Sequence, residues 1–173
     1  MGIISSFILI VLACGNDEAT DEGTEDDSST PASVPTNDVA TLQEHFGHFS
    51  GVSTSADDTY FYVSSSGLPE HDMMEGITNW QQQVPIPQEY NGTNSWAFPI
   101  QPILAETPLS SEEHFLRGAI AIAINGIPIF NPLNNRGEDA LSIGELDNWG
   151  GHCGRADDYH YHVPPTHLES VVG

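Results

Sequence analysis

The residues best suited to chemistry lie together late in the chain. Gly150 to Pro165 reads GGHCGRADDYHYHVPP and holds three of the eight histidines, His152, His160 and His162, with one of the two cysteines, Cys153. In Tyr159-His160-Tyr161-His162 two residue types alternate with a period of two, and a strand sends successive side chains to opposite faces. The histidines are therefore expected on one face. The tyrosines, β-favouring aromatics whose hydroxyls need partners when buried, take the other. A His-x-His pair brings two imidazoles within reach of one ion at Zn–N distances of about 2.0 to 2.1 Å, and a useful site needs a third ligand.

His152 is the natural third ligand, because the Gly150-Gly151 hinge and a turn over Arg155 to Asp158 would fold it back beside the strand. Cys153 is the alternative donor, offering a thiolate if the loop turns it inward. Asp147 is placed to accept from an imidazole N–H, which fixes the tautomer of a ligating histidine. His167, beyond Pro164 and Pro165, is a more distant candidate, and Met73-Met74 beside His71 could offer thioether sulfur to a soft ion, although adjacent methionines more often fill gaps in a core. Imidazole suits Zn, Cu, Fe or Ni. Against the metal reading stands a purely structural one, in which the histidines of a half-buried strand hydrogen-bond within the fold. A third reading is a hydrolase: a three-histidine site with an open position activates water, or His160 acts as a base oriented by Asp147.

Such a site needs strands to carry it. Arg117 to Phe130 (RGAIAIAINGIPIF) sets two isoleucine-rich runs around Asn125-Gly126, a dipeptide suited to a type I′ turn, so a β-hairpin is expected, its first strand buried on both faces. Pro128 cannot donate to a ladder and predicts an edge position for the returning strand. Thr59 to Ser64 (TYFYVS) reads as a strand ended by Gly67-Leu68-Pro69. Ile77 to Gln101 has no helical periodicity and reads as extended, proline-punctuated chain anchored by Trp80, Trp96 and Phe98. Ala140 to Leu146 suits a short helical turn, and His45 and His48 would share a helical face that Gly47 weakens. The expected fold class is β-rich, mainly β or α+β, as a single compact domain of antiparallel hairpins and long irregular loops.

The rest of the chain speaks to location. Ile3 to Ala13 is apolar, too short to span a bilayer and of the right length for a signal-peptide h-region, and Val11-Leu12-Ala13-Cys14 resembles a bacterial lipobox. Residues 1–14 are thus expected to be a signal peptide with Cys14 as the lipidated residue, the alternative being a cleaved signal without lipid, since no Lys or Arg precedes the apolar run. Residues 15–38 are rich in Asp, Glu, Thr, Ser, Gly and Pro, a composition unable to offset the entropy of ordering, and read as a disordered acidic linker. Folded sequence is expected over 39–173. The net charge of −22, with 25 acidic residues against three arginines and no lysine, argues against nucleic acid as a partner, because that affinity rests on Lys and Arg displacing counterions. The expected partner is a membrane, reached through the N-terminal lipid, which places the protein in a bacterial cell envelope, or in the periplasm or medium if unlipidated. An extracytoplasmic location favours Cu or Zn among the ions.

From AINGIPIFNP through ELDNWGGH to YHYHVPP the chain resembles the bacterial YHYH-domain family, over roughly Leu116 to Gly173 and more diffusely back to Thr59. The resemblance implies a secreted or envelope-anchored bacterial protein and is compatible with metal binding, while supplying no established reaction. Family members usually continue into a second hairpin-like copy ending in another YHYH-type strand, so the resemblance also implies that 39–173 is part of a longer, two-copy protein.

Overall fold

In the computed structural model, residues 36–83, 94–154 and 158–172 are described. The expected signal peptide, Cys14, nearly all of the acidic linker, residues 155–157 of the expected turn and Gly173 lie outside them. Helix α1 (Val39–Phe46) begins where the Asp38 carboxylate accepts from the Ala40 N–H and the Thr41 hydroxyl, capping donors that have no partner inside the helix. It buries Leu42 and Phe46 and ends at Gly47, with Phe46 5.8 Å from Phe61 between ring centroids.

Phe61 belongs to an antiparallel sheet of three strands, β1 (Val52–Ala56), β2 (Tyr60–Ser65) and β3 (Asn94–Pro99), in that order. The expected strand at Thr59 to Ser64 is β2, whose Phe61, Val63 and Ser65 are buried in alternation with more exposed neighbours, the mark of a sheet covered on one face. Asp57 builds the turn before it by accepting from the Thr59 and Tyr60 N–H groups and the Tyr62 hydroxyl. Within the segment expected to be extended, β3 pairs with β2 along its whole length, and Phe98 and Trp96 pack on the core. Trp80 does not anchor that segment: it is 44% exposed.

A second sheet carries the histidines. Its strands are β4 (Ala119–Ile122), β5 (Pro128–Phe130), β6 (Gly151–Cys153) and β7 (Tyr159–Tyr161), in the order β4-β5-β7-β6. Strand β5 runs antiparallel to β4 and parallel to β7, and β7 runs antiparallel to β6. The β4–β5 hairpin forms as expected, with a different turn. Ala123 donates to the Ile127 carbonyl at 2.9 Å and Gly126 to the Ala123 carbonyl at 2.8 Å, leaving a three-residue loop in which Gly126 alone has positive φ (+78°). That is a type I turn closed by a left-handed glycine rather than a type I′ turn, which would need positive φ at Asn125 too. The left-handed position also faces Ser65, 2.4 Å from where a Cβ would stand. Strand β5 is interior rather than an edge; Pro128 is tolerated because it is the first residue of the strand. Strand β4 is the edge, and its Ala119 is exposed, so the expected burial on both faces holds only for its end.

Leu42, Phe46, Phe61, Val63, Phe98, Ile122, Ile127, Ile129 and Tyr161 belong to one apolar cluster, so both sheets and α1 share a core and the chain is one β-rich domain. Each such side chain contributes about 1.5 to 3 kcal/mol of transfer free energy. Ala140 to Leu146 forms successive turns, and a 3-10 turn (Thr166–Leu168) followed by α2 (Glu169–Val172) closes the described chain. Among the described residues no helix is long and apolar enough to cross a membrane.

Candidate metal centre

Strand pairing assembles the site. In the β6–β7 ladder His152 lies directly opposite His160, and cross-strand partners hold their Cβ atoms about 4.5 to 5.5 Å apart. His162, two residues on, returns to the same face, and its N–H extends the ladder by donating to the Gly150 carbonyl at 2.9 Å. The strands can approach because residue 151 is glycine. A Cβ there would stand 2.6 Å from the Tyr159 ring and 2.7 Å from the His160 carbonyl.

All three imidazoles are buried, and ligand atoms from the three lie within 4.8 Å of one another. Their tautomers follow from the surroundings. Nδ1 of His152 lies 2.9 Å from the Glu145 carbonyl, Nδ1 of His160 lies 2.9 Å from the Asp158 carbonyl, and Nδ1 of His162 contacts the Asn131 carbonyl. A carbonyl can only accept, so each Nδ1 carries the proton and each Nε2 presents a lone pair. The Nε2 atoms of His152 and His162 then face each other at 3.2 Å. Two nitrogens on a tetrahedral zinc with Zn–N of about 2.0 to 2.1 Å stand roughly 3.3 to 3.4 Å apart. A close pair of lone pairs is repulsive unless a proton or a cation sits between them.

A proton is disfavoured there. Burial pushes His160 down to about 3, helped by repulsion from the other two histidines, and pushes His162 down to about 4 against the opposing pull of the Asn131 carbonyl. His152 is lowered by burial as well, while the Glu145 carbonyl and the charges of Glu145 and Asp147 favour its cationic form. The group is thus a neutral, proton-poor set of donors in a field that favours positive charge, and it could hold a metal ion. Phe130 stacks on His160, with ring centroids 4.2 Å apart and planes 24° from parallel, fixing the ring further.

Of the other residues expected at the site, the structure brings none into the cluster. Cys153 alternates to the opposite face and is fully buried in the apolar core, where its N–H contacts Met74 Sδ at 2.9 Å. Asp147 does not meet an imidazole: its carboxylate accepts from the Tyr159 hydroxyl at 2.8 Å and from the N–H groups of Met74, Trp149 and Gly151. The role expected of Asp147, accepting from an imidazole N–H, is taken at His152 by the Glu145 carbonyl two residues earlier. His167 lies on the tyrosine side, packed against His71 and Trp149, and Met74 fills the core. Four features went unread in the sequence: the carbonyls of Asn131, Glu145 and Asp158, which leave no side-chain signal, and the Glu145 carboxylate. That carboxylate is buried yet held ionised: burial works against its charge and is outweighed by hydrogen bonds from Arg136, Asn134 and Gln83. Arg136 was the available clue, since an arginine among so many acidic residues readily finds carboxylate partners.

The three histidines form part of the wall of a cavity of about 360 Å³ whose lining also includes Phe130, Asn131, Glu145 and Arg117. No family model matches the chain, and no match was found among curated proteins or among solved structures.

Proposed function

We propose that this protein is a bacterial envelope lipoprotein of the YHYH-domain type whose domain binds a transition metal ion, Zn or Cu, through Nε2 of His152, His160 and His162. One observation carries the reading: three separate backbone carbonyls take the three Nδ1 protons, so that three lone pairs share one buried wall. A structural role for the histidines gives no reason to aim bare lone pairs at one another, and a bound cation does. The envelope assignment is supported by the lipobox-like Val11 to Cys14 and the acidic stretch after it, and the family assignment by YHYH and the segments before it.

Metal analysis of protein purified without a His tag, set beside a His160→Ala/His162→Ala variant, tests the proposal. One equivalent of Zn or Cu is expected in the parent and well below a tenth of that in the variant. Sub-stoichiometric metal in both proteins, with the variant losing only thermal stability, sinks it in favour of the structural role. A second reading, a metal-dependent hydrolase, is favoured by the cavity: three protein ligands with open space beside them leave a position for water. Turnover of ester, phosphodiester or glycoside substrates by the metal-loaded protein, lost in the double variant, would establish it.

A further inference from the structure

Resting on the metal reading, we propose that the cavity beside the three histidines takes a small molecule with one carboxylate and an apolar body, the carboxylate bridging the ion and Arg117. The whole chain carries three basic residues against 25 acidic ones. Arg136 is committed to Glu138 and Glu145, whereas Arg117 lines the cavity and makes no ion pair among the described residues. In a molecule this acidic an exposed arginine without a carboxylate partner among the described residues, lining a cavity shared with three histidines, is best explained by a carboxylate that arrives from outside.

Charge within the site points the same way. Neutral imidazoles leave the full charge of a divalent ion uncompensated, unlike thiolate or carboxylate ligands. Among the described residues two acidic side chains, Glu145 and Asp158, also line the cavity, and Glu145 is already neutralised by Arg136. With a divalent ion bound, the ion and Arg117 outweigh Asp158, so the described lining is net positive and attracts an anion. The remaining wall includes Leu116, Phe130 and Leu133, together with Asn131 and Asn134. Apolar walls with a few polar groups are what a small organic ligand requires, whereas a bare inorganic anion would leave them unused.

Calorimetric titration with benzoate, acetate and inorganic phosphate tests this, using protein loaded with whichever of Zn(II) and Cu(II) binds at one equivalent. Benzoate is expected to bind the loaded protein, acetate and phosphate more weakly, and the metal-free protein is expected to bind none of them. Arg117→Ala should retain one equivalent of metal and weaken benzoate roughly tenfold or more, with Arg117→Lys recovering part of that loss. Unchanged benzoate affinity in Arg117→Ala overturns the proposal, as does equal affinity without metal or tighter binding of phosphate. Protein that holds its metal but gives no heat with benzoate refutes the carboxylate site alone. Protein that takes up no ion refutes the metal reading with it, and metal analysis separates the two cases.

Discussion

Tyr159 to His162, strand β7 and the residue after it, presents two faces, and they do opposite things with their polar atoms. On one face each tyrosine hydroxyl is fully engaged: Tyr159 donates to Asp147 at 2.8 Å, and Tyr161 accepts from Asn125 at 3.0 Å and lies 2.9 Å from His71 Nε2. His71 gives its Nδ1 proton to the Asp72 carbonyl, so its Nε2 accepts from Tyr161 and the chain of bonds is closed. On the other face the Nε2 lone pairs of His152 and His162 meet at 3.2 Å, and His160 offers a ligand atom within 4.8 Å of theirs. Satisfied buried groups rigidify a fold, and a converging set of lone pairs is a set of donors for a cation.

The largest effect expected from breaking this contrast is on metal affinity. Replacing His152 by alanine, which leaves the tyrosine face untouched, should weaken binding by at least about 100-fold in a chelator competition, beyond the 10- to 100-fold typical of losing a residue that only orients a ligand. The reverse change should separate cleanly. Tyr161→Phe strands the Asn125 amide and the His71 nitrogen, and is expected to cost about 1 to 3 kcal/mol in urea unfolding while leaving metal stoichiometry at one. If Tyr161→Phe loses metal as His152→Ala does, the two faces are not independent.

Acid sharpens the same contrast. The folded values of His160 and His162 lie at about 3 and 4 against an ordinary 6.5, so between those limits the unfolded chain binds more protons than the folded one. Stability from the neutral histidines is complete above pH 6.5 and is lost as pH falls toward 4 and then 3. Thermal melts of the metal-free protein should therefore drop by several degrees more between pH 7 and 4.5 than those of metal-free His160→Ala/His162→Ala, in which the general titration of carboxylates remains. Equal drops would mean that the histidines are not buried neutral. The smallest effect concerns ring placement: Phe130→Leu removes the stacking on His160 and should cost about 0.5 to 1.5 kcal/mol, with a modest loss of metal affinity.

Much of this was written in local pattern. The period of two in YHYH and the hinge glycines carry the three histidines to one wall, and the isoleucine runs around Asn125-Gly126 carry the hairpin. What the sequence hid depends on pairing between distant segments. That β5 is an interior strand follows only from its parallel contact with β7 at Ile129 and Tyr161, which no local signal encodes. Cys153 was legible as a donor type, but its face is fixed by the β6 register, one residue out of phase with His152. The Asp147 carboxylate looked like a histidine partner because sequence shows its charge but cannot show that four other donors already claim it.

X-ray absorption at the zinc edge of the loaded, untagged protein tests the central claim most directly. The expected result is three imidazole nitrogens at about 2.0 to 2.1 Å, one further light atom and no sulfur. A sulfur shell at about 2.3 Å would draw Cys153 out of the core face into the site and contradict the division of β6 and β7 into a satisfied face and a binding face.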